Sequence, residues 1–252
     1  MLNGRDGSPT PRLRLRQVST DIKVVARPVS LSAELSQLFV DIPRSDCVKI
    51  VFAARTANFR ARQTIFLAGN PINEILLLTE GSVKITQLGE DGSAVILRLE
   101  GPGGVIGSLG LVERAEHCSM AQAILPCKAL IWSVPAFAGL SERFPLLKRN
   151  MMRIVSQRLR VLEGRFREIS TKKVAPRLAR ELVRLLPQVG RRVHNVLEIN
   201  LSREELAQMT ATTLYTVSRL LTSWERQGIV SLRPQTVAVQ NLLCLLAISE
   251  LR

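Results

Sequence analysis

Aromatic side chains are scarce in this sequence: seven Phe, two Trp and one Tyr among 252 residues. Its cores must be assembled from Leu, Val, Ile and Ala, which the 46% hydrophobic content allows for a globular chain of two domains. Histidine is scarcer still. His117 and His194 lie far apart, so the sequence holds no nucleophile–base–orienter set, no metal-ligand spacing and no phosphate-cradling glycine loop. That inventory argues against an enzyme. The four cysteines, Cys47, Cys118, Cys127 and Cys244, are scattered without a CxxC. This argues against a zinc finger and an N-terminal iron–sulfur cluster and fits a reducing cytoplasm. No apolar run approaches the roughly 20 residues of a membrane span, so no membrane partner is expected. The opening stretch is basic, with Pro and Gly but no apolar centre for a secretion signal, and residues 1–30 are expected to form a flexible arm.

Negative charge is also in short supply, with 21 Asp or Glu against 35 Lys or Arg and a net charge of +14. The excess is uneven. Between Ser141 and Asn195 there are 15 Lys or Arg against 4 Glu, a surplus of 11 positive charges. A solvated helix face accounts for part of this block, and contact with phosphate accounts for it better beside the motif described next.

That motif runs from Ser202 to Gln227, SREELAQMTATTLYTVSRLLTSWERQ. Ser202 followed by Glu205 makes a capping box. Leu206 and Met209 face inward on the first helix, the turn falls at Thr210–Thr212 around Ala211, and Val217, Leu220 and Leu221 form the apolar side of the second helix. Its other face carries Thr213, Tyr215, Ser218, Arg219 and Thr222. Gly228 sits where a glycine stops a helix. Two helices with a polar outer face have the shape that enters the major groove of DNA. The apolar runs Ile229–Leu232 and Thr236–Val239 follow as a hairpin, a wing.

Upstream, helices are expected at Ser32–Phe39 and near Cys47–Ala54. From Ala57 short apolar runs alternate with glycine turns: Thr64–Ala68, Glu74–Thr79, Val83–Gln87, Ala94–Leu99, Ala121–Leu125 and Ala129–Val134. Many short strands with Gly turns predict an antiparallel barrel or roll. A long helix is expected from about Pro135 to Ser170, broken near Pro145. Within it Met152, Val155, Leu159, Leu162, Phe166 and Ile169 are spaced three, four, three, four, three, an a/d seam. The seam needs either the domain's own core or the same helix of a second subunit. Arg153, Arg158, Arg160, Glu163, Arg165 and Arg167 surround it with charge, which favours the second subunit, while Ile154 and Val161 fall off it and are expected to pack back on the roll. A helix at Val174–Leu186 and one strand at Val193–Asn200 complete the order. Cys127 and Cys244 are expected in cores, and His194 on the surface.

This order, with FLAGNPINEILLLTEGSVKI in the roll, GGVIGSLGL after it and SREELAQMTATTLYTVSRLL followed by GIV, resembles the Crp–Fnr family of bacterial transcription regulators over roughly Phe59 to Asn241. The resemblance implies an α+β chain. Residues 31–140 would be an antiparallel β-roll sensor of the cyclic-nucleotide-binding kind, 141–170 a dimerisation helix, and 171–252 a winged helix-turn-helix. It implies a homodimer on a near-palindromic double-stranded operator, with RNA polymerase as a further partner if the protein activates.

Family recognition helices often read bases through E-x-x-S-R. Here the string is Tyr215-Thr216-Val217-Ser218-Arg219. Arg219 and Ser218 match, so Arg219 is expected to read guanine, while Tyr215 stands where the Glu would accept from cytosine. Tyr215 either meets a base or packs against the wing. Thr213, Thr216 and Arg203 are candidate phosphate contacts. In members that bind cyclic AMP the roll supplies Gly-Glu for the ribose and Arg-Ser for the cyclic phosphate. The corresponding residues here are Gly107-Ser108 and His117-Cys118, and the adenine-capping pair of the dimer helix falls at Leu162-Glu163. Without the fixed cation, tight binding of cyclic AMP is not expected; Arg114 is the one further candidate in this loop for an anion site. His117 and Cys118 are either inert loop residues or a sensing pair, and a haem is the cofactor such a pair admits. No other cofactor or metal is expected.

Overall fold

The computed structural model describes residues 36–107, 115–194 and 196–251. The expected arm, residues 1–30, lies outside them, as do Ser108 and Arg114. Of the helix expected at Ser32–Phe39 the described part is one 3-10 turn, Gln37–Phe39, capped by the Ser36 hydroxyl. The next helix, α1 (Arg44–Phe52), starts after Pro43 and buries Cys47 and Ile50.

Eight strands follow: β1 (Arg55–Phe59), β2 (Thr64–Phe66), β3 (Glu74–Glu80), β4 (Val83–Leu88), β5 (Ala94–Glu100), β6 (Val105–Ile106), β7 (Met120–Ala123) and β8 (Cys127–Ser133). They form two antiparallel sheets, ordered β1-β8-β3-β6 and β2-β7-β4-β5. Six of these strands match the expected runs. β1 was not anticipated, because Arg55-Thr-Ala-Asn-Phe59 has only two apolar positions facing inward, Ala57 and Phe59. The two sheets enclose Phe59, Leu76, Leu78, Val83, Ile85, Ile106 and Ile131 among others. The turn between β3 and β4 requires Gly81. Its φ is +83°, and a Cβ there would stand 2.3 Å from the Pro126 carbonyl oxygen.

Two helices leave the roll, α2 (Val134–Arg143) and α3 (Pro145–Thr171). The break falls at Phe144-Pro145, as the proline predicts. A second core joins α1, α2 and the start of α3 over Leu38, Ile50, Trp132, Phe137, Leu147 and Met151. The Trp132 indole N–H donates to the Ile50 carbonyl at 2.8 Å, which satisfies the one polar group of this buried ring.

The C-terminal part contains α4 (Val174–Val189), β9 (Arg191–Val193), β10 (Val196–Ile199), α5 (Arg203–Thr210), α6 (Leu214–Arg226), β11 (Val230–Arg233), β12 (Thr236–Val239) and α7 (Leu242–Glu250). The single strand expected at Val193–Asn200 is in fact a hairpin, because His194 takes φ +45° and turns the chain. His194 is exposed, as expected. The third sheet, β11-β12-β10-β9, backs the helices. Cys127 is buried, but Cys244 is exposed: α7 buries Leu245 and Ser249, and Cys244 points away from that face.

One hydrophobic core spans α4 to α7 and also takes in Ile96 and Leu99 of β5. The helix-turn-helix is therefore docked on the outer face of the roll. Lys84 of β4 reaches Glu205 of α5 at 2.7 Å across this contact. Burial pushes the Glu205 carboxyl up, but bonds from Lys84 and Ser202 outweigh it and hold it below the usual carboxylate range. Among the described residues no helix is long and apolar enough to cross a membrane.

Candidate nucleic-acid interface and effector cavity

The helix-turn-helix is built by local chemistry. Ser202 accepts from the Glu205 backbone N–H at 3.1 Å, and the Glu205 carboxylate accepts from the Ser202 N–H at 2.9 Å, closing the capping box at the start of α5. Ala211 ends that helix in the left-handed region at φ +48°. Thr213 then caps α6, its hydroxyl accepting from the Thr216 N–H at 3.2 Å and lying 3.0 Å from the Thr216 hydroxyl. Val217, Leu221 and Trp224 are buried, which fixes the rotation of α6 and turns its opposite face to solvent.

That face carries Tyr215, 76% exposed, with Thr213 and Arg219 also exposed and Thr216 and Ser218 half-buried. Arg203 is exposed at the start of α5. No ion pair or hydrogen bond to another described residue engages the side chains of Tyr215, Arg203 or Arg219. Tyr215 is not packed against the wing. The wing is pinned elsewhere, by Arg233 bonding to Glu198 of β10.

The six seam residues lie along one side of α3. Met152, Leu159, Leu162, Phe166 and Ile169 are exposed, Phe166 at 73%, and Val155 is half-buried. The neighbouring stripe faces the chain itself. Leu147, Met151 and Ile154 enter the core, the last as expected. Val161 departs from expectation and is exposed, because the roll recedes from α3 there and leaves a cavity. Two of the arginines assigned to the flank of the seam also turn inward. Arg158 bonds to Glu100 of β5 at 2.7 Å and to the Val105 carbonyl, and Arg165 bonds to Glu181 of α4 and to the Leu97 carbonyl of β5. Burial raises the Glu181 carboxyl, with Arg165 and Arg184 pulling it down. The signal for this inward set was present in the sequence: Leu147, Met151, Ile154, Arg158, Arg165 and Glu168 fall on one repeat of four and three, whose remaining position, Val161, lies exposed at the cavity.

The cavity left between roll, α3 and α4 has a volume of about 540 Å³ and is lined by Leu97, Arg98, Glu100, Arg158, Arg165 and Gln188 among others. Its guanidinium groups are already engaged: Arg98 and Arg158 both pair with Glu100, and Arg165 with Glu181. Of the pocket candidates, Gly107, His117 and Cys118 do not line it. Gly107, at φ +97°, sits where a Cβ would meet the Glu74 carbonyl oxygen at 3.0 Å. Ser108 is outside the described residues. His117 is 6% exposed, with its ring stacked on Phe66 at 3.7 Å and its backbone paired with Gly69 and Asn70. It is a buried loop residue packed against the roll rather than a surface one. Cys118 is adjacent but exposed, its carbonyl held by Gln87. Its neighbour's ring is thus directed into the roll, and the dipeptide does not converge on one site.

Sequence comparison bears on both halves of the chain. Residues 56–144 match the family of cyclic nucleotide-binding domains, and residues 176–248 match the Crp-like helix-turn-helix domain. The chain belongs to the Crp–Fnr family of transcription regulators. Its Crp–Fnr relatives include a CRP-like cAMP-activated global transcriptional regulator of Mycobacterium tuberculosis, 22% identical over 206 residues, 81% of this chain and 92% of that one. A cyclic AMP receptor protein of Thermus thermophilus is 28% identical over 177 residues, 70% of this chain and 80% of that one. The solved structure of FixK2 from Bradyrhizobium japonicum has the same fold, with a TM-score of 0.69 at 21% identity over 79% of this chain and 98% of that one. As a Crp–Fnr member the chain is a transcription regulator with a DNA-binding helix-turn-helix and a sensor of the cyclic nucleotide-binding type. These relatives are regulators, not enzymes.

Proposed function

We propose that the protein works as a homodimer that binds a near-palindromic operator in a sequence-specific way, through Arg219, Tyr215 and Ser218 at bases and Arg203, Thr213 and Thr216 at phosphates. Residues 141–170 serve as the dimerisation helix, 31–140 as the sensor and 171–252 as the DNA-binding part. It acts in the cytoplasm, and where it activates it contacts RNA polymerase. One observation carries this reading: among the described residues, nothing covers the heptad stripe on α3 or the polar face on α6. A twofold contact along α3 covers the stripe and sets two α6 helices on one face of a duplex. The test is selection of bound DNA from random duplexes, combined with light scattering. Recovery of half-sites without inverted symmetry, or a monomer mass in the DNA-binding state, refutes the homodimer.

Cyclic AMP is not the effector in the usual manner. A cyclic phosphate needs a fixed cation. Among the described residues, Arg98, Arg158 and Arg165 of the cavity are each committed to a carboxylate, and His117 is neutral and packed. The protein therefore binds operator without added nucleotide, and calorimetric binding of cyclic AMP at micromolar affinity or tighter refutes this part. A second reading, gating by another small effector such as a haem, a redox signal or an organic ligand, is favoured by the 540 Å³ cavity, whose volume suits a small ligand. An absorption spectrum of the purified protein separates haem from the rest, and a gel shift that appears only on adding a small molecule selects gating.

A further inference from the structure

Between the dimer helix and the helix-turn-helix stands one buried cation. Arg177, in the first turns of α4, is 8% exposed. Its guanidinium donates to the carbonyls of Ile169 at 3.3 Å and Lys172 at 3.4 Å, and on the other side to the carbonyl of Ala211 at 3.2 Å. The first two acceptors are the end and cap of α3. The third is the left-handed residue that ends α5. The last carbonyls of a helix lack partners within it, and that end carries partial negative charge. Arg177 therefore satisfies two helix C-termini at once. Among the described residues no carboxylate bonds to it: Glu168, the one acidic group that acts on it, is held by Arg180 and Arg184.

The geometry has a consequence for DNA. Ala211 leads through Thr212 directly to Thr213, the cap of α6, so whatever holds the Ala211 carbonyl also holds the start of the recognition helix. Arg184 ties α3 to α4, Arg180 ties both to α7, Lys172 ties the cap of α3 to the end of α7, and Lys84 ties α5 to the roll; none of these reaches the turn between α5 and α6. Among the described residues Arg177 alone joins the end of α3 to the helix-turn-helix turn by hydrogen bonds. We propose that Arg177 is a positioning residue which fixes the angle of α6 against the dimer helix, and through it the half-site spacing the protein accepts. This rests on the homodimer reading above. A planar guanidinium fits the role because its donors leave in fixed directions, whereas an ammonium is a point charge on a flexible stem.

The test uses the full chain and duplexes with two identical selected half-sites, their separation varied base pair by base pair around the best one. One added base pair both rotates and shifts a half-site, so the wild type should prefer one separation over its neighbours by about tenfold or more. Arg177→Gln should flatten that preference to within about threefold, while affinity for a duplex carrying one half-site stays within about twofold, since no base or phosphate contact is lost. A merely structural role lowers the melting temperature and leaves the profile's shape unchanged. A sharp profile retained in Arg177→Gln therefore overturns the proposal alone, with the dimer reading intact. A flat profile in the wild type overturns both. Should Arg177→Gln fail to fold, Arg177→Lys keeps the charge but engages one helix end at a time. The same flattening supports the proposal and the same persistence overturns it.

Discussion

Helix α3 carries two heptad stripes one residue apart, and they meet opposite fates. The stripe of Leu147, Met151, Ile154, Arg158, Arg165 and Glu168 is covered by its own chain: apolar at first, where the roll core receives it, then charged, where β5 and α4 offer Glu100, Glu181 and two arginines. The stripe of Met152, Leu159, Leu162, Phe166 and Ile169 stays apolar to its end and is left exposed by the described residues of the chain. The same period thus encodes an intramolecular contact on one side and an uncovered one on the other. What distinguishes them is composition along the stripe. A stripe that turns from Leu and Met to Arg and Glu is handed from a core to a polar joint between domains, and a stripe that stays apolar awaits an apolar partner.

The largest expected effect comes from breaking the uncovered stripe. Phe166→Glu or Leu159→Glu places two carboxylates across the proposed axis and should convert the protein wholly to monomer by light scattering, with far-ultraviolet circular dichroism retained. Operator binding should collapse, because a monomer engages one half-site. An unchanged dimer mass rejects the stripe as an interface. The covered stripe should respond in the other currency. Met151→Ala removes a fully buried side chain and should lower unfolding free energy by about 2–5 kcal/mol while leaving a dimer below the melting transition. If Met151→Ala dissociates the dimer without destabilising the fold, the assignment of the two stripes is reversed.

A smaller effect sharpens the use to which the dimer is put. Arg219→Ala should cost about 1–3 kcal/mol at the selected operator and relax preference at one base pair. Arg203→Ala should weaken all sequences alike and reduce the salt slope of log K by about one. A binding profile over all single-base variants checks both. If Arg219→Ala lowers affinity without changing the profile's shape, Arg219 is a phosphate contact. Tyr215→Glu restores the residue type common in the family and should move the preference toward cytosine at the facing position. An unmoved profile makes Tyr215 a bystander.

The sequence was most legible where function faces solvent along a regular element. On α6, Val217 and Leu221 on one side and Tyr215 and Arg219 on the other follow from a period of 3.6, and Ser202, Ala211 and Thr213 mark the turn by their capping chemistry. The uncovered stripe of α3 follows from the same arithmetic. It was least legible where residues distant in sequence converge. Nothing local announces that Arg158 meets Glu100, that Lys84 meets Glu205, or that Arg177 meets Ala211; each needs the docking of one domain on another. Single positions misled for a similar reason. Val161 and Cys244 are apolar residues whose elements turn them outward, and His117 is a polar residue that Phe66 draws inward.

His117 yields the smallest effect and a clean sign. Burial lowers its pKa below the usual 6.5, so the folded roll holds the ring neutral. The unfolded chain keeps the ordinary value and takes up a proton first as pH falls. Between pH 6.5 and the lower folded pKa the unfolded state thus binds more protons, and stability decreases as the solution becomes more acidic. The contribution is fully present above pH 6.5 and is lost at no more than about 1.4 kcal/mol per pH unit within that window. Stacking at 3.7 Å, nearly parallel to the Phe66 ring, shows which variant isolates the effect. His117→Phe keeps an aromatic face against Phe66 and removes the titration. Denaturant midpoints of both proteins at pH 7.5 and 5.5 should show the wild type losing more stability on acidification than His117→Phe. Equal losses would mean that the His117 ring titrates in the folded roll as it does in water, and the packing role assigned to it would fall.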